Sequence, residues 1–224
     1  AVGGSIPSTP AKMKRVPAFV ANSKDDMHCV NAVFRMVHKT FFGRDLSWKE
    51  MDKLTIAVPG KGTWTFVGEM EFARRGLRIR NIEPISYKQL YKEGVGYLSK
   101  KVGKDTARYY RERSNIETVI RYIPEYLEVV KHETRRASIK EIVTSLKKGS
   151  LIGVEINSKI LNKKPGFSLH FVLLYDFDDK HIILHDPGLP PIKSRKVTLE
   201  EFDECFNFPG AAAGITVFSK KDKL

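Results

Sequence analysis

The stretch Asp25-Asp26-Met27-His28-Cys29-Val30-Asn31-Ala32-Val33-Phe34-Arg35-Met36-Val37 reads as a helix start with a cysteine in its first turn. Asp26 is the expected N-cap, because its carboxylate can accept from the free N–H groups two or three residues on. Behind it Val30, Val33, Phe34, Val37 and Phe41 recur at helical spacing and make one apolar stripe. With Asp26 as the cap, Cys29 falls at the third helical position, where free N–H groups and the helix dipole stabilise an anion. Such a thiol is chemically poised and needs a base. The opposing reading is a small buried hydrophobe, the usual state of a free cysteine. The rest of the chain decides between the two.

A chain of 224 residues can bury a full core and is expected to form a single domain over 13–224. The first twelve residues are small, rich in Pro, Gly and Ser, and without period; they are expected to be disordered or foreign, with Met13 as the native start. No apolar run approaches the length that crosses a bilayer, and no signal-peptide core stands near the start, so a cytoplasmic protein is expected. Two cysteines are too few for a disulfide scaffold, which agrees with a reducing compartment. A single Cys29–Cys205 bridge is the other use of the pair. The net charge of +13 is concentrated: Lys88 to Lys148 holds 15 Lys/Arg against 8 Asp/Glu. A basic surface suits an acidic substrate or nucleic acid, and it also serves solubility alone. Tyr109 and Tyr110 interleave with Arg108, Arg111 and Arg113, but no nucleic-acid-binding motif is present.

Along the chain, Gly43 closes the first helix. Ser47 with Glu50 forms a capping box for a second, and a third runs from about Thr65 to Arg75. Pro59-Gly60-Lys61-Gly62-Thr63 lacks the spacing of a phosphate-binding loop, and Gly94-Val95-Gly96 lacks the third glycine of a dinucleotide fingerprint. Leu77–Arg80 alternates like a strand. Residues 86–136 read as two or three charged helices, an insertion. A helix from Ser138 to Lys148 leads to a strand at Leu151–Ile156. Two apolar strands, Leu169–Tyr175 and His181–His185, are joined by an acidic turn. A proline-rich loop, a helix capped by Thr198 and a final strand at Ala213–Phe218 complete the chain. Helices first and an antiparallel sheet later is the α+β pattern.

The base is sought among six histidines. His170 opens an otherwise apolar strand, and Asp186 ends the next one. A three- or five-residue loop at the acidic turn places the two directly opposite on one face, with Cβ atoms about 5 Å apart. A two-residue loop sends them to opposite faces. Paired, the carboxylate fixes the imidazole tautomer and favours the imidazolium, leaving the other ring nitrogen for a thiol. Unpaired, His170 is a core histidine and Asp186 a turn residue. His181 and His185, four apart on a strand, are about 13 Å apart and cannot share one metal ion. No cofactor or metal is expected.

In this arrangement the chain resembles the papain-like cysteine peptidases related to the bacteriocin-processing, double-glycine leader peptidases. The residues that carry the resemblance are Asp25-Asp26-Met27-His28-Cys29-Val30-Asn31-Ala32, the Gly43 to Ser47 spacing, Ala73-Arg74-Arg75-Gly76-Leu77 and Leu146-Lys147-Lys148-Gly149. The fullest match is Leu169-His170-Phe171-Val172 followed by Ile183-Leu184-His185-Asp186-Pro187-Gly188. The resemblance implies a stand-alone member with a Cys29–His170–Asp186 triad on a papain-like fold. In that fold a helical lobe carrying the cysteine packs on a sheet lobe carrying the other two. The family's oxyanion glutamine, six residues before the cysteine, is replaced by Ser23, with Asn22 preceding it as the amide donor if the loop shifts by one. Cys-Val-Asn-Ala stands for the family's Cys-Gly-Pro-Ala, and Leu169 for its glycine before the histidine.

Three functions follow from these residues. The first is a cysteine hydrolase of a peptide or amide. The second is an acyl or peptidyl transferase using the same acyl-thioester. The third is a degenerate scaffold that binds peptide or nucleic acid through its basic helices. The oligomeric state has no signature in the sequence.

Overall fold

The computed structural model describes residues 16–209 and 212–221; the stretch 1–12 and Met13 lie outside the described residues. The helix of the opening stretch is α1 (Cys29–Phe42), and Gly43 ends it in the left-handed conformation. Then come α2 (Trp48–Thr55), α3 (Phe66–Arg74) and strand β1 (Leu77–Glu83). The segment from 86 to 136 builds α4 (Tyr87–Glu93), α5 (Leu98–Val102), α6 (Lys104–Arg113), α7 (Ile116–Val119), α8 (Ile123–Val129) and a short strand, β2 (Lys131–Thr134). The rest is α9 (Ile139–Lys147), β3 (Leu151–Asn157), α10 (Ser158–Leu161), β4 (Leu169–Phe177), β5 (His181–Asp186), β6 (Ile192–Thr198), α11 (Leu199–Phe206) and β7 (Ile215–Lys220).

The strands form one seven-stranded sheet in the order β2-β1-β7-β3-β4-β5-β6. All neighbours are antiparallel except the edge pair β1–β2. This is the expected α+β arrangement, a cysteine-bearing helix laid against an antiparallel sheet. Alternation along the strands gives the sheet two apolar faces. Phe171, Leu173 and Phe218 pack with Phe34 of α1 and Phe72 of α3 on one side. Val172, Leu174 and Val154 pack with Ile142 and Leu146 of α9 and Phe202 and Phe206 of α11 on the other. A Cβ on Gly68 would lie 2.1 Å from Phe34 Cε2, so only glycine lets α3 come this close to α1.

Capping boxes start α2 (Ser47 with Glu50), α9 (Ser138 with Glu141) and α11 (Thr198 with Glu201), each joining side chain and backbone reciprocally. The expected cap of α1 is different. Asp26 has a φ of 59°, inside a turn, and α1 begins only at Cys29, with His28 as its N-cap and no side-chain cap bond. Asp26 accepts instead from Asn22 Nδ2 at 2.8 Å. Cys29 is therefore the first helical residue rather than the third, still among the free N–H groups of the helix start.

The hairpin register also differs from expectation. The turn is a two-residue one, Asp179-Lys180, closed by Asp178 N–H to His181 O at 2.9 Å. It is held by the Asp178 carboxylate, which accepts from the backbone N–H of Lys180 and His181. By itself that turn would separate His170 and Asp186 onto opposite faces. The register shifts at Tyr175, between Leu174↔Leu184 and Asp176↔Ile183. One extra residue on β4 reverses the alternation beyond it, and the two side chains return to one face.

Two strands escaped the sequence reading. The sequence of Ile192–Thr198 predicts loop; in the structure it is the exposed edge β6, whose mixed polar residues carry little period-2 signal. β2 is four residues long and mostly solvent-facing. The helices of 86–136 contribute Tyr87, Leu90, Leu98, Ile116, Val119 and Tyr126 to the same core as α1.

Candidate active site

Residues 22–28 form the approach to Cys29, and Asn22 holds them together. Its Oδ1 accepts from the N–H groups of Ser23 and His28, both at 2.9 Å, and its Nδ2 donates to Asp26. Its own N–H donates to Pro187 O at 2.8 Å, which ties the approach to the turn after Asp186. Ser23, the alternative oxyanion donor, sends its hydroxyl to Asp25 at 2.5 Å and meets His28 Nδ1 at 2.7 Å. Its hydroxyl is thus committed away from the cysteine, whereas the Asn22 amide has a second N–H beyond the one Asp26 takes. His28 reaches Asp52 through Nε2, and Asp52 also accepts from Asn31 of α1.

Cys29 is half-buried at the start of α1 and carries a free thiol; Cys205 is free too, buried in α11, where burial pushes its thiol up to about 12. The Cys29–Cys205 bridge is not formed.

His170 is 9% exposed and Asp186 4% exposed. The ring Nε2 meets Asp186 Oδ1 at 2.8 Å. With Nε2 engaged, the ring lines one cavity with Cys29, whose side chain also acts on the imidazole. Burial alone would lower the imidazole pKa. The hydrogen bond it donates to Asp186 and the influence of Cys29, with the charges of both, outweigh it and push His170 up to about 10. Burial likewise would raise the Asp186 carboxyl, but His170, the Gly188 N–H and Arg195 hold it below its ordinary value. Cys29, His170 and Asp186 are therefore brought together.

Several neighbours were not legible beforehand. Arg195 of β6 donates to Asp186 Oδ2 at 3.0 Å and to Asn162 and the Leu161 carbonyl, fixing the carboxylate from behind. Gly188 donates to Asp186 Oδ1, and a Cβ there would stand 3.0 Å from that oxygen and 3.2 Å from His170 Nε2. Beside Cys29 and His170 opens a cavity of about 140 Å³, walled by Trp64, Tyr109, Tyr110 and Phe171 and floored by Glu83 and Glu155. Glu155 did leave a signal, a carboxylate inside the apolar run of β3.

No family model matches the sequence. No curated protein matches it either. Among solved structures the chain is similar to the peptidase domain of Streptococcus ComA, a bi-functional ABC transporter involved in a quorum-sensing pathway. The identity is 14%, with a TM-score of 0.47, over 91% of this chain and 98% of that one. It is also similar to a double glycine motif protease from an AMS/PCAT transporter, solved in complex with the leader peptide. There the identity is 13% and the TM-score 0.46, over 93% and 94% of the two chains.

Proposed function

We propose that the protein is a cysteine hydrolase that cleaves a peptide or amide bond through Cys29, His170 and Asp186. The observation that supports it most is the buried 2.8 Å contact of His170 Nε2 with Asp186, in a ring that lines one cavity with Cys29. In this reading His170 takes the thiol proton and the thiolate attacks the substrate carbonyl carbon. As the tetrahedral intermediate collapses, the C–N bond breaks and the imidazolium protonates the leaving amine. Water, deprotonated by His170, then attacks the thioester; the acid leaves and the thiol is restored. Asp186 holds the ring in orientation and stabilises its charge. The Cys29 N–H and the second N–H of Asn22 are the donors for the oxyanion.

The test is the second-order rate at which a peptidyl chloromethyl ketone alkylates Cys29, together with hydrolysis of a peptide library by the same protein. We expect alkylation confined to Cys29, slowed about 10²-fold or more in His170→Ala, and hydrolysis abolished in Cys29→Ser. Equal alkylation rates in parent and His170→Ala would refute the assignment. Product analysis with added amines separates water from amine as the acceptor.

A further inference from the structure

The cavity beside Cys29 is floored by two glutamates on different strands. Glu83 ends β1 and Glu155 lies on β3, with the chain entering β7 between them. At the level of the two carboxyls that intervening chain is Gly214, whose carbonyl accepts from Glu155 N–H at 3.2 Å. A Cβ on Gly214 would stand 3.2 Å from Glu83 Oε2, so the absence of a side chain there keeps the floor open. The two carboxyls are unequally satisfied. Glu155 accepts from the Tyr110 hydroxyl at 2.6 Å. Glu83 is 7% exposed, and its Oε1 is buried without any hydrogen-bond partner. A third buried acid nearby, Glu69, makes the contrast. Both of its oxygens are engaged, by Tyr126 and Thr216, and it does not line the cavity.

A buried carboxylate oxygen without a donor is costly, and a group that supplies the donor from the cavity is stabilised by the same amount. The required group is a donor with positive charge, since two carboxyls share one small space. The walls suit the stem of such a side chain, with the rings of Trp64, Tyr109, Tyr110 and Phe171 around it. A volume of about 140 Å³ accommodates one side chain rather than a whole ligand. Besides His170, the cavity's one cationic lining residue among those described is Arg113, exposed at the end of α6.

We infer that this cavity is the pocket for a cationic side chain of the substrate, a lysine or arginine next to the bond that Cys29 attacks, held by Glu83 and Glu155. The inference rests on the reading of Cys29 as the nucleophile. It runs against the acidic substrate that the net charge suggested, because the charge at the site is opposite to that of the whole. Burial holds the Glu83 carboxyl up to about 8 and that of Glu155 up to about 7, and a cation in the cavity favours the ionised form of both.

Two measurements on the full chain test it. The first is binding of Nα-acetyl-lysine amide, Nα-acetyl-norleucine amide and Nα-acetyl-glutamate amide to the Cys29→Ser protein, by calorimetry. The lysine compound is expected to bind about 10-fold or more tighter than norleucine. Glu83→Gln, which keeps the size of the side chain, is expected to bring that ratio close to one. Equal binding of lysine and norleucine, preference for glutamate, or a ratio unchanged in Glu83→Gln each overturns the pocket. The second is alkylation of parent protein by chloromethyl ketones bearing the same three side chains. A lysine preference there, lost in Glu83→Gln, supports the pocket at the reacting centre. Alkylation that depends on His170 but ignores the side chain overturns the pocket and spares the nucleophile. Lysine binding together with His170-independent alkylation overturns the nucleophile and spares the pocket's chemistry.

Discussion

His170 and Asp186 share a face of the sheet because β4 carries one residue more than β5 at Tyr175. Continuing the Leu173↔His185 register puts Asp186 level with Val172, two positions from His170. The pair is thus diagonal rather than directly opposite, still within reach for an imidazole and a carboxylate. A two-residue turn without the bulge would put one side chain among α9 and α11 and the other on the side of α1.

The hydrogen bond with Asp186, followed by the influence of Cys29 and the charge of Asp186, lifts the His170 pKa against the effect of burial. A raised imidazole pKa keeps the imidazolium, the acid for the leaving amine, up to about 10 and loses it as pH rises further. Asp186→Asn keeps an acceptor for Nε2–H and removes the negative charge. The alkaline limb of peptide hydrolysis is expected near pH 10 in the parent and at lower pH in Asp186→Asn. Coincident alkaline limbs would mean that Asp186 only orients the ring.

Much of this was readable in the residues. Apolar stripes and capping boxes located α1, α2, α9 and α11, and the apolar strands located β3 to β5. What was hidden depends on non-local geometry. No local property of Tyr175 marks a bulge, since an aromatic in an apolar strand fits a regular ladder equally well. Arg195 looked like loop because its strand is an exposed edge, where polar residues on both faces erase the alternation. The Asp26 side chain alone predicts a helix cap. The tertiary bond to Asn22 and the turn before it override that local preference.

Gly188 is tested by size. A Cβ there is tight against Asp186 Oδ1 and His170 Nε2, and a branched side chain cannot fit without moving one of them. Displacements of the order of 1 Å in a catalytic group cost about 10²-fold in rate. Gly188→Val is expected to lose hydrolysis by about that factor, Gly188→Ala by less, with thermal midpoints near the parent's. A fully active Gly188→Val protein would show that the dyad tolerates the shift.

Stability should be greatest in mildly acidic solution. Glu83 and Glu155 have folded pKa values raised to about 8 and about 7 from an ordinary 4.5. Between those values the folded chain binds more protons than the unfolded one, so stability falls as pH rises from about 5 to about 8. At the acid end the sign reverses. Arg135 holds Glu141 down to about 2, and backbone N–H groups with His181 hold Asp178 down to about 2. Their contribution is present above the ordinary carboxyl range and lost as pH falls toward 2. Thermal midpoints are expected to peak near pH 5, and Glu83→Gln is expected to flatten the decline on the alkaline side. A midpoint that rises steadily from pH 5 to 8 would contradict the assignment of buried, protonated carboxyls.

Asn22 has two separable duties, and two reactions distinguish them. As an anchor it holds the N–H groups of Ser23 and His28 and the carboxylate of Asp26. As an oxyanion donor it would act only when a tetrahedral intermediate forms. Asn22→Asp keeps the acceptor oxygens and removes both amide hydrogens, setting a like charge beside Asp26. Peptide hydrolysis forms an oxyanion, whereas alkylation by iodoacetamide forms none and reports only how the thiol is held. If Asn22 donates to the oxyanion, Asn22→Asp and Asn22→Ala lose about 10²–10³ in hydrolysis and far less in alkylation. Parallel losses in the two reactions would confine Asn22 to holding the loop and leave the Cys29 N–H as the donor.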